Sequence, residues 1–116
     1  MIVNHEGFDM SPPQTIPDIV TIKKSGISSL GLFPTRKIHA GTNIGCTHMK
    51  MRSDPQSYLR TPLGGFFNHR SRPNTKAQIQ DEKIYLVAAR DISVNEEITA
   101  PFWYQFYAIR IAKDGM

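Results

Sequence analysis

The chain has 116 residues, the length of one domain, and 40% of them are hydrophobic, enough for one compact core. No apolar run is long enough to cross a bilayer as a helix, and the polar stretch Met1 to Ser11 lacks the apolar region of a signal peptide. These features argue for an intracellular protein, cytoplasmic or nuclear. Cys46 is the only cysteine and the net charge is +4, so an internal disulfide and a cysteine-rich zinc site are excluded, while contact with an anionic partner is permitted.

Residues 1 to 18 carry Pro12, Pro13 and Pro17 and read as an extended lead-in. The β-branched run Ile19-Val20-Thr21-Ile22 starts the ordered domain as a strand. Ser25-Gly26 and Ser28-Ser29 mark a turn before Leu30-Gly31-Leu32-Phe33. A short strand-like pattern runs from Thr42 to Met51. There Cys46 and His48 alternate along the strand, and two such residues rarely make a metal site, so they read as a buried thiol and a surface imidazole. Pro55, Pro62 and the Gly64-Gly65 pair make residues 52 to 65 a loop with one helical turn. Thr75 to Gln80 and Lys83 to Ala89 read as a hairpin turning at Asp81-Glu82. Ile98 to Tyr104 is the last strand, and Tyr107 to Ala112 a short amphipathic tail. The class is mainly β, with many short strands and little helix.

An internal echo supports that class. Arg36-Lys37-Ile38-His39-Ala40-Gly41-Thr42-Asn43-Ile44 shares its frame with Arg90-Asp91-Ile92-Ser93-Val94-Asn95-Glu96-Glu97-Ile98. Gly41 and Asn95 occupy the same place, and both residue types tolerate the left-handed backbone region, so the echo predicts two similar corner turns. Each isoleucine of the frame is expected to plug the core.

The polar segment Phe66-Phe67-Asn68-His69-Arg70-Ser71-Arg72-Pro73-Asn74 is the most informative stretch. Asn68 and Asn74 bracket His69 and Pro73, so the loop either holds hydrogen-bonding groups still for a ligand or is a well-made turn. Glu96 and Glu97 are adjacent, so in a strand they face opposite sides and cannot act as an acid-base pair. They read as turn or solvent-facing carboxylates, with bracing of the site by Glu97 as the other option.

Three pieces, in order, resemble the SET-domain family of S-adenosylmethionine-dependent protein lysine methyltransferases. Ser25 to Phe33 is similar to its opening glycine motif. Phe67-Asn68-His69-Arg70-Ser71-Arg72-Pro73-Asn74 resembles its Asn-His, Pro-Asn loop. Ala89-Arg90-Asp91-Ile92, leading into Glu96-Glu97-Ile98-Thr99, resembles the segment before its catalytic tyrosine. The resemblance spans about Ile19 to Tyr107, so residues 19–107 are expected to form the domain and 108–116 a tail. It implies small curved sheets with a knot-like C-terminal threading, which sets the loop at Asn68 beside the strand at Ile98.

By the same resemblance, Ser29, Leu30, Gly31, Asn68 and His69 bind the cofactor S-adenosylmethionine, and Tyr58, Trp103, Phe106 and Tyr107 are candidates for the substrate lysine channel. Two departures stand out. The expected tyrosine position holds Phe102, leaving Tyr104, two residues on in the same strand and on the same face, as the alternative catalytic group. Ser29 stands where the family often has glycine and requires a negative backbone angle there. The size resembles that of compact viral or microbial SET proteins, which suggests a homodimer that completes the substrate groove. The implied activity is methyl transfer to a lysine of a protein substrate. The alternative is a degenerate module that binds cofactor or a protein partner without turnover. Nucleic-acid binding ranks last, because basic and aromatic residues are not interleaved.

Overall fold

The computed structural model describes residues 16–50, 58–102 and 104. Among these residues eight short strands form three small sheets, in keeping with the many short strands expected from the sequence. β1 (Val20–Lys24) and β2 (Leu30–Pro34) pair as an antiparallel hairpin. β3 (Asn43–Lys50), β4 (Tyr58–Arg60), β6 (Thr75–Gln80) and β7 (Lys83–Ala88) make a four-stranded antiparallel sheet in the order β4-β3-β7-β6. β5 (Asn68–His69) and β8 (Thr99–Ala100) pair in parallel. A 3-10 turn at Leu63–Gly65 supplies the helical turn expected in that loop. Leu63 inserts into the core from it.

The β6–β7 hairpin turns at Asp81 and Glu82, whose φ angles are 53° and 63°. This is the backbone twist that joins antiparallel strands by two residues. The internal echo closes on itself in the fold. Ile38 and Ile92 form an isolated bridge, each amide donating to the other carbonyl at 2.9 and 2.8 Å. Ile38, Ile44, Ile92 and Ile98 are all buried, so the four isoleucines plug the core as expected. Both corners turn, but only Gly41 is left-handed, at φ 86°.

Around these plugs packs one cluster that includes Val20, Leu32, Leu63, Ile84, Leu86, Ala100 and Tyr104, with Ile16 and Ile19 against its edge. His48 is buried, contrary to the expected surface imidazole. A register shift of β3 against β7 falls between Cys46 and His48, and such an irregularity lets the neighbours Thr47 and His48 both be buried. Burial, then the charge of Arg60, lowers its pKa from the ordinary histidine value to about 4. Cys46 is half-buried, its thiol donating to the His48 carbonyl oxygen at 3.3 Å, and burial raises its pKa.

The last strand is shorter than the sequence pattern predicts. Proline has no N–H to continue a ladder, and the chain leaves the sheet at Pro101. The Tyr104 amide then donates to the Pro101 carbonyl at 3.1 Å, so the chain folds back there and does not extend as a strand.

Candidate functional site

The parallel pairing of β5 with β8 sets the two polar motifs side by side. Asn68 lies opposite Thr99 and His69 opposite Ala100, and the Arg70 amide extends the contact to the Ala100 carbonyl at 3.0 Å. Asn74 then acts as a piece of sheet made from a side chain. Its Nδ2 donates to the Glu97 carbonyl at 2.8 Å and its Oδ1 accepts from the Thr99 amide at 2.9 Å. Both are fully buried contacts, so the amide fixes the strand that carries Glu97.

Asn68 reaches the other way, into the Ser25–Leu30 loop. Its Nδ2 donates to Glu97 Oε2 at 2.7 Å and to the Leu30 carbonyl at 3.0 Å, with Ser25 Oγ at 3.1 Å and the Ser28 carbonyl at 3.4 Å as weaker neighbours. Ser25 Oγ accepts from the Ile27 and Ser28 amides at 2.8 and 3.2 Å. Its own proton therefore goes to Glu97 Oε1, 2.7 Å away. Glu97 is 9% exposed, and both its oxygens accept a hydrogen bond. It braces the site and does not face solvent. Glu96 behaves as expected of a surface residue, paired with Arg90.

Gly31 is required by this arrangement. A Cβ on it would overlap Glu97 Oε2 and lie 2.8 Å from Glu97 Cδ and 3.2 Å from Asn68 Nδ2. The loop itself closes through the Ser25 amide, which donates to the Ser29 carbonyl at 3.0 Å. Ser29 adopts φ 35°, so the expectation of a negative angle is overturned. The left-handed residue is what brings the tight turn back onto β2, at a strain of about 1–2 kcal/mol.

A cleft of about 300 Å³ opens between this loop and the segment after the 3-10 turn, lined by Ser28, Ser29, Leu30, Phe66, Phe67 and Asn68 among others. That volume is at the lower end of the range for ligand clefts, roughly 300–1,000 Å³. Of the residues predicted to bind a cofactor, Ser29, Leu30 and Asn68 line it. Gly31 lies behind it, against Glu97. His69 stands beside Asn68 in β5, its ring edge-on to Phe67 with centroids 5.3 Å apart and stacked on Phe102 at 6.1 Å and 18°. Its Nε2 is buried with no hydrogen-bond partner among the described residues, and burial lowers its pKa.

Phe102 and Tyr104 do not share a face. Phe102 is 61% exposed and Tyr104 0%, because the turn at Pro101 replaces the strand on which a shared face was expected. The Tyr104 hydroxyl lies 2.7 Å from Thr47 Oγ1, which also lies 2.9 Å from His48 Nδ1. Its ring packs edge-on against Phe67, a wall of the cleft, at 5.1 Å. Burial raises the Tyr104 pKa, so the phenol stays protonated at neutral pH. Tyr58 opens β4 opposite Lys50. Trp103, Phe106 and Tyr107 lie outside the described residues. Among the described residues no group of histidine, cysteine and carboxylate side chains is placed to hold a metal.

The profile of the SET-domain family matches residues 46–105, just over half of the chain. The chain belongs to the SET-domain family. The solved structure of a Plasmodium falciparum protein assigned as a histone methyltransferase has the same fold, with a TM-score of 0.60 at 19% identity, covering 75% of this chain and 95% of that one. No curated protein sequence matches the chain. The mainly β architecture of several small sheets is thus that of a SET domain. Sequence reasoning missed the role of the Ser25 side chain and, although it singled out Asn74, did not find the strand that Asn74 holds. An isolated asparagine or serine in a loop gives no sign of the distant strand it will clamp, although the Glu97 alternative had pointed to the right neighbourhood.

Proposed function

We propose that the protein is a protein-lysine N-methyltransferase that uses S-adenosylmethionine. The observation that carries this reading is the braced cleft. In a SET-domain chain, the glycine-motif loop and the Asn-His loop meet across it, locked by the Ser25–Glu97–Asn68 hydrogen bonds. The residues present fit the cofactor. The walls combine Ser28, Ser29, Leu30 and Asn68 with the aromatic residues Phe66 and Phe67, and the unpartnered His69 Nε2 lies one residue from the Asn68 wall. Ser29, Leu30 and Asn68 would hold the ligand, with His69 beside them. When bound, S-adenosylmethionine would supply an electrophilic methyl group for a neutral lysine amine of a protein substrate.

The chain's own part is positioning, which is worth up to about 7–11 kcal/mol when geometry is good. The Asn68 and Glu97 bonds hold the loop before any ligand arrives, so little ordering remains to be done on binding. Tyr104 is the catalytic hydroxyl in this reading, since Phe102 has no oxygen. Thr47 fixes its direction, and its raised pKa makes it an orienting hydrogen-bonding group and not a base.

A second reading, a module that binds cofactor or partner without turnover, draws on Phe102, whose exposed ring stands at the expected tyrosine position. Transfer of isotope-labelled methyl to a lysine peptide library separates the two. Turnover by the parent, reduced about 10²–10³-fold in Tyr104→Phe with S-adenosylhomocysteine affinity within about threefold, supports the enzyme. Cofactor binding without any methyl transfer supports the module.

A further inference from the structure

Glu97 is a charge placed where a neutral side chain would have served. It accepts one hydrogen bond from Ser25 and one from Asn68. A glutamine could accept from Asn68 and donate to Ser25 without burying a charge. Burying a carboxylate is costly unless a cation offsets it, and among the described residues no Lys, Arg or His nitrogen lies within ion-pair distance of Glu97. The carboxylate is also close behind the cleft. The Asn68 nitrogen that it holds at 2.7 Å is the same one that touches the Leu30 carbonyl, and Asn68, Leu30 and Ser28 are all cleft walls. At that depth water screens the charge poorly.

We propose that Glu97 is a specificity-determining residue whose buried negative charge makes the cleft favour a ligand carrying a positive group at the Ser28–Leu30 wall. This inference rests on the cofactor reading above and deepens it. S-adenosylmethionine offers two such groups, its α-ammonium and its sulfonium. The proposal concerns the charge they share, acting through one layer of side chain, not a contact.

Calorimetric titrations of the parent, Glu97→Gln and Ser25→Ala with three ligands test it. S-adenosylhomocysteine carries the ammonium alone, S-adenosylmethionine carries both groups, and the desamino analogue of S-adenosylhomocysteine carries neither. In the parent, at least one cationic preference should reach about tenfold, either S-adenosylhomocysteine over its desamino analogue or S-adenosylmethionine over S-adenosylhomocysteine. Glu97→Gln should reduce that preference to within about threefold, and which ratio moves identifies the ammonium or the sulfonium. Ser25→Ala, which loosens the loop and keeps the charge, should leave the ratios unchanged while weakening all three ligands alike.

A Glu97→Gln protein that weakens every ligand equally, or a Ser25→Ala protein that moves the ratios as much, overturns the proposal in favour of loop geometry. The parent ratios stand without any variant, so a parent with no cationic preference overturns it even if Glu97→Gln fails to fold. A parent that binds none of the three overturns this inference and the cofactor reading together.

Discussion

Replacing Gly31 by alanine should be one of the most destabilising single-atom additions in this protein, and the reason is a particular side chain. The new Cβ would overlap Glu97 Oε2 and approach Cδ to 2.8 Å. Glu97 cannot swing away freely, because both oxygens are engaged and the residue is 9% exposed. Displacing it costs hydrogen bonds to a charged group, about 1.5–3 kcal/mol each. Tolerating it costs overpacking of about 1–3 kcal/mol. Either route gives roughly 3 kcal/mol, which for a domain of this size lowers the melting temperature by roughly 10–20 °C. The decisive assay is a double-mutant cycle by urea denaturation. Glu97→Ala removes the obstruction, leaving Asn68 Nδ2 at 3.2 Å as the nearest neighbour, so in that background Gly31→Ala should cost at most about 1 kcal/mol. The coupling is then about 2 kcal/mol, within the range for residues in contact. Strictly additive costs, or a Gly31→Ala protein as stable as the parent, would refute the packing of Glu97 beneath β2.

Other outcomes follow from the same geometry. Gly64→Ala should destabilise by about 2 kcal/mol or more, since its Cβ would meet the Thr47 carbonyl oxygen and approach Arg60 Cγ to 2.8 Å, whereas Gly65→Ala, with nothing within 4 Å, should be within about 0.5 kcal/mol of the parent in the same denaturation assay. His48 should make the protein acid-sensitive. Its folded pKa of about 4 lies below the unfolded value near 6.5, so the unfolded chain takes up the proton first as pH falls. Stability present above pH 6.5 should drop by about 2 kcal/mol between pH 7 and pH 5, and His48→Gln should flatten that slope in denaturation curves. Phe102→Tyr, at a 61% exposed ring, should leave stability within about 0.5 kcal/mol. If Tyr104 is the catalytic hydroxyl, it should also leave methyl-transfer rates within about threefold.

The fold was legible where local signals and long-range partners agree. The hairpin at Asp81-Glu82 is specified by its own turn, and the paired isoleucines of the echo mark their own burial by their chemistry. β5 was not legible as a strand, because two residues carry no period and its partner β8 lies 31 positions on, Asn68 opposite Thr99. The resemblance to the SET family supplied that juxtaposition. The last strand was overextended because alternation from Ile98 onward continues on paper past Pro101, while the proline ends the ladder in space. Ser29 shows the opposite case, a serine in a glycine's conformation because the Ser25 hydrogen bonds close the turn around it. At the site, Asn68 was recognised as important, but the target of its amide was not. Four acceptors from two distant segments converge on one nitrogen, and only tertiary structure brings them together.

The central claim is that the cleft between the Ser25–Leu30 loop and the Asn-His segment holds the cofactor. The most direct test follows amide resonances of the whole chain as S-adenosylhomocysteine is added. Saturable one-to-one shifts centred on Ser28 to Gly31 and Gly65 to His69, with the β6–β7 turn at Gln80 to Lys83 unmoved, are the predicted result. A folded protein whose resonances do not move at millimolar ligand, or move only away from that cleft, would contradict the account.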